Sequence, residues 1–352
     1  MTKISRYYFT LSFSLLITVI LLAAGCTKKS SQSSSTSDSK NPLKIGFILD
    51  NMNEERYAKD KKYFEDKAKS LGADVMFASA NSDVAAQNNK VENMLSAGVK
   101  VIVVQPVDSN AASSLVQTSH KEHVPVIAYD RIIYGAPVDL YVTQNSFQVG
   151  VLQAEAAAKA AKGKGNFVIL SGAEGHSVAE AITAGNISVL KKYPDIKVVV
   201  HQYHPGWSTE LALKTTENAL TRYNNKIAAV LANNSGMAHG AVQAVAEQGL
   251  TGKIFIAGAD ADLAAIKDIV AGKQQFEVLK DIKPLAEAAA QAAVLLAQGK
   301  PVSFDTTMEN KSGSSIKVVN TPVYPIEKDN IEQRIIQSGF HDRSEVYGDK
   351  KL

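Results

Sequence analysis

The segment Val124-Pro125-Val126-Ile127-Ala128-Tyr129-Asp130-Arg131 determines how the rest of the sequence is interpreted. Five of its first six residues are apolar, which predicts a short strand buried on both faces of a sheet. Asp130 and Arg131 follow this strand directly. Ligands of parallel α/β sheets bind outside the carboxyl ends of the strands, so both charged side chains are placed to meet a polar small molecule. An internal salt bridge that caps the sheet is the alternative, and this segment alone does not decide between the two.

The sequence on either side repeats an alternation of strand and helix. Upstream, apolar strands are predicted at residues 44–49, 74–79 and 100–105, and helical patterns between them end at Gly72 and Gly98. Downstream, a second series has strands near residues 166–170, 197–202, 227–231, 253–257 and 276–279. Such repetition predicts parallel sheets with helices on both faces. We therefore expect two similar doubly wound α/β lobes, joined by a hinge of several crossings, with a cleft between them.

Four segments follow from this pattern. Residues 1–25 are predicted to be a signal peptide and residues 26–42 a flexible tether. The N-terminal lobe is expected to comprise residues 43–144 plus about 280–305, and the C-terminal lobe residues 145–279 plus about 306–352. The tail after residue 301 is expected to be mostly irregular, with one helical stretch near residues 330–337.

Length and charge exclude some classes of function. The chain has 352 residues, enough for two domains with sizeable cores. Its net charge of +3 is too small to indicate nucleic-acid binding, and no basic cluster with interleaved aromatic residues occurs.

The N-terminus has the features of a secretory signal. Lys3 and Arg6 precede an apolar stretch that ends in small residues before Cys26. Cys26 is the only cysteine, which rules out an intramolecular disulfide and a cysteine-based metal site. The small residues before it resemble the lipobox of bacterial lipoproteins, in which the cysteine is acylated, although Ala23 stands where that pattern usually has Leu. An uncleaved membrane anchor is the alternative, and both place the body of the protein outside the cytoplasmic membrane.

Polar candidates for a binding site follow several of the predicted strands. They include acidic, basic and amide side chains, and Trp207 lies in a Pro-Gly loop directly after another strand. Carboxylates accept hydrogen bonds from hydroxyl groups, Arg and Lys donate them, and Asn does both, so this mixture suits a polyhydroxylated ligand. The face of Trp207 is suited to cover the apolar face of a sugar ring.

Motifs of common enzymes do not occur. The sequence has no Gly-x-Gly-x-x-Gly fingerprint and no Gly-x-Ser-x-Gly elbow, so no dinucleotide or other cofactor is expected. His201 and His204 lie three residues apart, but with no neighbouring cysteine we expect no metal site. Asp262 is better interpreted as the N-cap of a following helix than as the catalytic partner of Asp260. No acid/base pair supports an enzymatic function.

Together these residues resemble the periplasmic D-xylose-binding proteins, which have the type I periplasmic-binding-protein fold. The resemblance extends from Lys44 to Glu345 and is most specific at Glu55-Arg56, Ala128-Tyr129-Asp130-Arg131, Gly206-Trp207, Asp260-Ala261-Asp262-Leu263 and Gly339-Phe340-His341. It implies that the sugar is contacted by Arg56, Asp130, Arg131, Trp207, Asn234, Asp260 and Lys280. Two places differ from the family pattern: Ser177-Val178 stand where it usually has Asn-Asn, and Ser235 stands where it usually has Asp.

This resemblance implies a non-enzymatic protein whose two lobes close around one monosaccharide, with D-xylose as the best candidate. The implied partner is the permease of an ABC importer, and the implied location is the outer face of the cell membrane, through a lipid on Cys26. The alternative is a sugar-sensing module of the same fold that signals to a membrane histidine kinase.

Overall fold

The computed structural model describes residues 43–348, so the predicted signal peptide and the whole predicted tether, with Cys26, lie outside the described residues. Strands and helices alternate at the start of the described residues, in the order β1 (Leu43–Leu49), α1 (Glu55–Ser70), β2 (Ala73–Ser79), α2 (Val84–Ser96), β3 (Ile102–Val104), α3 (Ser113–Lys121) and β4 (Val126–Tyr129). Strand β5 (Leu140–Gln144) then follows β4 without a helix between them. These strands form the first sheet, in which all neighbouring pairs among them are parallel.

A second alternating series forms the second sheet. Its elements are α4 (Ser146–Ala160), β6 (Lys164–Ser171), α5 (Ser177–Leu190), β7 (Asp195–Tyr203), α6 (Thr209–Arg222), β8 (Ala229–Ala232), α7 (Ser235–Glu247), β9 (Phe255–Ala259), α8 (Leu263–Val270) and β10 (Phe276–Lys280). The remaining elements are α9 (Ile282–Ala297), β11 (Thr306–Glu309), β12 (Ser315–Thr321), β13 (Val323–Ile326), a π-helical turn (Glu332–Ile336) and α10 (Arg343–Tyr347). The predicted architecture of two mostly parallel α/β lobes is confirmed.

Strand β4 has the burial that the opening segment predicts. All four of its residues are fully buried. Ile127 and Tyr129 pack into the core on one face of the first sheet, and Val126 and Ala128 pack into the core on the other. Because both faces are covered by helices, the strand is continuously apolar, and its polar residues begin only where the sheet ends.

The tail is more regular than the sequence predicts. Strand β12 pairs in parallel with β5, and β11 pairs antiparallel with β12, so the first sheet has the order β11-β12-β5-β4-β3-β1-β2. Residues 306–321 therefore belong to the N-terminal lobe, whereas the sequence assigned them to the C-terminal lobe. The hairpin covers the edge of β5, which would otherwise present unpaired backbone groups.

The chain passes between the lobes three times, from β5 to α4, from β10 to α9 and from β12 to β13. The side chain of Gln144 in the first crossing donates a hydrogen bond to the carbonyl of Asp281 in the second, at 3.0 Å. Thr321, which precedes the third crossing, donates to the carbonyl of Thr143 at 3.3 Å. These bonds link the three crossings into one hinge. In the part of the chain that the structure describes, no helix combines the length and the apolar character needed to cross a membrane.

Candidate functional site

A cleft between the lobes collects most of the predicted binding residues. Six of the seven line it, three from each lobe, together with five further side chains. The six are Arg56, Asp130 and Arg131 from the first lobe and Trp207, Asp260 and Lys280 from the second; the additional ones are Glu54, Tyr57, His176, Val178 and Asn233. The cleft therefore forms at the carboxyl ends of the strands of both sheets, as expected for this class of fold.

Asp130 ends β4 with a left-handed backbone, at φ +61°. Aspartate adopts this conformation more readily than most residues, because its short polar side chain tolerates the αL region. One carboxylate oxygen accepts a hydrogen bond from Gln105 Nε2 at 2.9 Å, and the other lies 3.4 Å from the Arg56 guanidinium. Burial opposes ionisation, but the charges of Arg56, Lys280 and Arg131 outweigh it and lower the pKa of Asp130 well below its usual range. The residue is therefore a permanently ionised acceptor.

Arg56 begins the first turn of α1 and is held by a second acid. Its Nε lies 3.1 Å from Asp60 Oδ2, one helical turn further along, and Tyr129 hydrogen-bonds to the same carboxylate. Asp60 is fully buried. Since Asp60 and Asp130 both contact Arg56, the guanidinium is fixed in place before any ligand arrives.

Arg131 points away from Asp130 into a separate set of partners. Its guanidinium lies 2.7 Å from Asp50 Oδ2, donates to the carbonyl of Pro106 at 3.1 Å and donates to the Tyr57 hydroxyl at 3.1 Å. Arg131 therefore pairs with Asp50 at the end of β1 rather than with its neighbour. Asp130 and Arg131 thus form internal ion pairs at the end of the sheet and also line the cleft, so the two interpretations of the opening segment are compatible.

The second lobe contributes a matching acid and base. Lys280 ends β10, and its ammonium lies 3.3 Å from Asp260 Oδ1 at the end of β9. This ion pair lacks the angles of a hydrogen bond, so Asp260 Oδ1 still has no hydrogen-bond donor. Both side chains are almost fully buried.

Trp207 ends a 3-10 turn, Pro205–Trp207, that follows β7. Its ring lies so close to Gly172 that a Cβ on that glycine would meet the ring at 2.5 Å, so only glycine permits this position. The His176 ring packs edge-on against the indole, with ring centroids 5.0 Å apart. The indole is thereby fixed at the cleft wall and remains partly exposed.

His176 is a cleft residue that the sequence did not identify. Its Nδ1 accepts a hydrogen bond from the Val178 backbone N–H at 3.3 Å, which places the proton of the neutral ring on Nε2. Burial and the charges of Arg131 and Lys280 lower the pKa of His176 well below its usual value, so the ring is neutral. Nε2 is then a donor without an acceptor among the described residues.

Asn233 and Asn234 differ in their roles. Asn234 is the N-cap of α7, and its side-chain oxygen accepts from the Met237 N–H at 2.9 Å, which leaves its amide nitrogen free to donate to a ligand. Asn233 lines the cleft itself. Its oxygen accepts from the Gly172 N–H at 3.1 Å, while its buried amide nitrogen has no partner among the described residues. The sequence placed the contact on Asn234, which is not among the side chains that line the cleft; its neighbour Asn233 is.

Four buried polar atoms of the cleft therefore lack partners in the described part of the chain: Arg131 Nε, His176 Nε2, Asn233 Nδ2 and Asp260 Oδ1. Buried polar groups are nearly always hydrogen-bonded, because leaving one unpaired costs about 1–3 kcal/mol. Three of the atoms donate and one accepts, and their residues line the same cleft as the indole of Trp207. A neutral ligand with several hydroxyl groups satisfies both kinds.

Three other features of the described residues bear on the site. Asp262 occupies the N-cap position of α8, but its side chain makes no capping hydrogen bond. A larger cavity of about 330 Å³ lies across Val178 from the cleft, lined mainly by apolar and hydroxyl side chains and by no charged one. Within residues 43–348, no group of three or more metal-ligating side chains comes together.

Comparison with known proteins identifies the family. Residues 45–301 match the model of the periplasmic binding protein domain. The chain belongs to this family. It is 42% identical over 307 residues to the D-xylose-binding periplasmic protein of Escherichia coli (strain K12), which covers 86% of this chain and 92% of the relative. It is 38% identical over 322 residues to the D-xylose-binding periplasmic protein of Haemophilus influenzae, covering 89% of this chain and 95% of that one.

Solved structures of the family have the same fold. A carbohydrate transporter solute binding protein from Chloroflexus aurantiacus, in complex with D-glucose, superposes with a TM-score of 0.79 at 26% identity and covers 86% of this chain and 97% of its own. The relatives are binding proteins of transport systems, so the chain is a periplasmic-type binding protein and not an enzyme.

Proposed function

We propose that this chain binds a monosaccharide, with D-xylose as the preferred ligand, in the cleft between its lobes. The observation that carries the proposal is the set of four buried polar atoms that lack hydrogen-bond partners in the described residues and share the cleft with Trp207. A pyranose offers hydroxyl groups to these atoms and an apolar C–H face to the indole. The two relatives with 42% and 38% identity are both D-xylose-binding proteins, which supports the choice of sugar.

In this proposal Asp130 and Asp260 accept hydrogen bonds from sugar hydroxyls, one from each lobe. Arg56, Arg131, Lys280 and the amides of Asn233 and Asn234 donate to the sugar oxygens. His176 Nε2 is an additional donor. Charged hydrogen bonds of this kind are worth about 1.5–3 kcal/mol each, which is enough for tight binding once the cleft excludes water.

Isothermal titration calorimetry with a panel of sugars tests the ligand. We expect D-xylose to bind more tightly than D-ribose, L-arabinose and D-glucose. Xylitol is the matched control, because it carries the hydroxyls of xylose without the ring that covers Trp207, and we expect it to bind more weakly. A chain that binds none of the pentoses would disprove the proposed ligand.

We further propose that the protein works outside the cytoplasmic membrane, anchored through an acylated Cys26, and delivers its sugar to an ABC importer. The signal-like N-terminus and the transport relatives support this location and role. Labelling cells with a radioactive fatty acid should mark the wild type, and Cys26→Ala should lose the label. Loss of D-xylose uptake in a strain that lacks this gene but expresses its permease constitutively would support import. Unchanged uptake in that strain would support the sensor alternative.

A further inference from the structure

A buried acid lies beneath the second-lobe half of the cleft and does not itself line the cleft. Glu277, the second residue of β10, is fully buried. Its Oε1 accepts a hydrogen bond from Gln274 Nε2 at 2.7 Å, and its Oε2 accepts one from the Ala261 N–H at 3.2 Å. Gly258 on the neighbouring strand makes room for it, since a Cβ there would lie 2.0 Å from Oε1. No lysine, arginine or histidine of the described residues forms an ion pair with it.

The hydrogen bonds of Ser235 indicate whether the carboxyl group of Glu277 is protonated or ionised. The Ser235 hydroxyl lies 2.8 Å from the Ala259 carbonyl and 3.0 Å from Glu277 Oε2, and it accepts a hydrogen bond from the Asp262 N–H at 3.1 Å. A hydroxyl has one proton, and the Ala259 carbonyl can only accept. The contact with Glu277 Oε2 is therefore complete only if the carboxyl group carries the proton and donates it to Ser235.

The orientation of Gln274 agrees with this assignment. Its Nε2 also donates to the Phe276 carbonyl at 2.9 Å, so the amide must present nitrogen, not oxygen, toward Glu277. Glu277 Oε1 is then an acceptor and Oε2 is the oxygen that carries the proton. Burial is the main cause that raises the pKa of Glu277 to about 8; the charge of Asp260 acts in the same direction, and the hydrogen bonds from Gln274 and the Ala261 N–H oppose it.

This network holds the backbone that presents two of the proposed sugar contacts. Ser235 directly follows Asn234, and Ala261 directly follows Asp260. Asp260 and Ala261 both have left-handed backbones, at φ +98° and +59°, a conformation that costs energy in residues other than glycine. Hydrogen bonds from the N–H groups of Ala261 and Asp262 into the network offset that cost.

We infer that protonated Glu277 is a positioning residue for sugar binding, which holds Asp260 and Asn234 in the geometry that the sugar requires. Loss of its proton leaves Ser235 with one hydrogen for two acceptors and places a second negative charge beside Asp260. Both effects disfavour the backbone arrangement of the loop. Because the role is defined by the sugar, it rests on the function proposed above.

The titratable groups that face Glu277 are two carboxyls, Asp260 from β9 and Asp262 from the start of α8. Helix α7 presents Ser235 and Ala238, and β13 pairs with Glu277 through Ile326. Burial and the charge of Asp260 also raise the pKa of Asp262. A variant of Glu277 is therefore needed to distinguish the titration of Glu277 from that of Asp262.

The binding test follows D-xylose affinity from pH 6.5 to pH 9 through the fluorescence of Trp207, the only tryptophan of the chain. If the sugar raises the Glu277 pKa by one unit, affinity falls roughly tenfold above both pKa values. With pKa values of about 8 and 9 we expect a loss of about fivefold in the wild type by pH 9 and a flat profile in Glu277→Gln, whose neutral amide keeps the size of the acid. Glu210→Gln, an exposed acid on α6 of the same lobe, is the matched control and should follow the wild type.

A wild type that binds D-xylose equally well at pH 6.5 and at pH 9 overturns the role of Glu277. A Glu277→Gln profile that falls like that of the wild type overturns it as well. Calorimetry of the wild type in buffers of different ionisation enthalpy gives a test without any variant: binding should take up a fraction of a proton near pH 8 and none near pH 6. Absence of that uptake also overturns the role. If D-xylose binds at neither pH, the proposed ligand fails instead.

Thermal stability as a function of pH tests, in the absence of sugar, whether Glu277 is protonated in the folded protein. The folded-state pKa lies above the unfolded value of 4.5, so the folded state binds more protons between pH 4.5 and about 8. The contribution of Glu277 to stability is thus greatest below that window and is lost as the pH rises through it. The Tm of Glu277→Gln relative to the wild type should therefore increase from pH 5 to pH 8.5. A constant difference would show that Glu277 is already ionised at pH 5.

Discussion

At the scale of single residues, Asp130 is the acid whose environment defines its role most completely. It is buried, ionised and already paired with Arg56 and Gln105, so a sugar hydroxyl has to bind to its remaining lone pairs. We predict that Asp130→Asn weakens D-xylose binding by about 1.5–3 kcal/mol, roughly ten- to 150-fold, because a charged acceptor becomes a neutral amide. Asparagine tolerates the left-handed backbone at this position, so the change tests the charge rather than the fold.

Calorimetry measures this loss, and a melting curve confirms that the variant is folded. Asp66→Asn is the matched control, because Asp66 is exposed on α1 and pairs only with Lys62 in the described structure. It should bind like the wild type. Equal affinity of Asp130→Asn and the control would show that Asp130 is structural.

The sequence predicted these residues well where one rule applied, namely that polar side chains at strand ends face the cleft. Asp130, Arg131, Asp260 and Lys280 all follow that rule. Tyr57 and His176 were missed because they lie in the first turn of α1 and at the N-cap of α5, where a tyrosine or histidine is equally typical of a core or a surface. The pairing of Arg131 with Asp50 was not predictable either, because it joins residues 81 positions apart.

At the scale of elements, the crossing of α4 and α5 determines how the second lobe packs. Gly150 and Gly185 meet at this crossing, and a Cβ on either would lie about 2 Å from a carbonyl oxygen of the other helix. Asn186 ties the helices together with a hydrogen bond to the Gly150 carbonyl at 2.9 Å. Helix α5 begins beside His176 and Ser177, so its position fixes one wall of the cleft.

We predict that Gly185→Ala destabilises the fold by about 1–3 kcal/mol, the usual cost of overpacking, because the helices have to separate. Denaturant unfolding measures this change. Ala184→Ser, at the exposed neighbouring position of α5, is the control and should leave the free energy of unfolding nearly unchanged. A Gly185→Ala protein as stable as the wild type would mean that the crossing relaxes without cost.

The elements that the sequence could not predict are those with little apolar pattern. Strand β11 has the sequence Thr-Thr-Met-Glu and is exposed along its whole length, so it carries no signal of burial. Strand β12 does alternate, with Ile316 and Val318 buried, but its polar residues are typical of a loop. Its pairing with β5 depends on the open edge of the first sheet, which is a property of the assembled lobe.

At the scale of the whole molecule, the cleft is divided between two lobes that are joined by only three crossings. Arg56, Asp130 and Arg131 belong to one lobe, and Trp207, Asp260 and Lys280 belong to the other. A sugar that bonds to both sets is bound fully only when the lobes are together. It therefore binds the closed state more tightly than the open one, and only such a difference shifts the population toward closure.

We therefore predict that saturating D-xylose reduces the radius of gyration of the protein in small-angle X-ray scattering. Asp130→Asn gives the internal control, because at a sugar concentration that saturates only the wild type it should keep the larger radius. Raising the D-xylose concentration until the variant is also saturated should then close its lobes, since the remaining contacts still bridge them. If calorimetry shows full occupancy and the radius does not change, the cleft is preformed, and the three crossings act as a fixed connection rather than as a hinge.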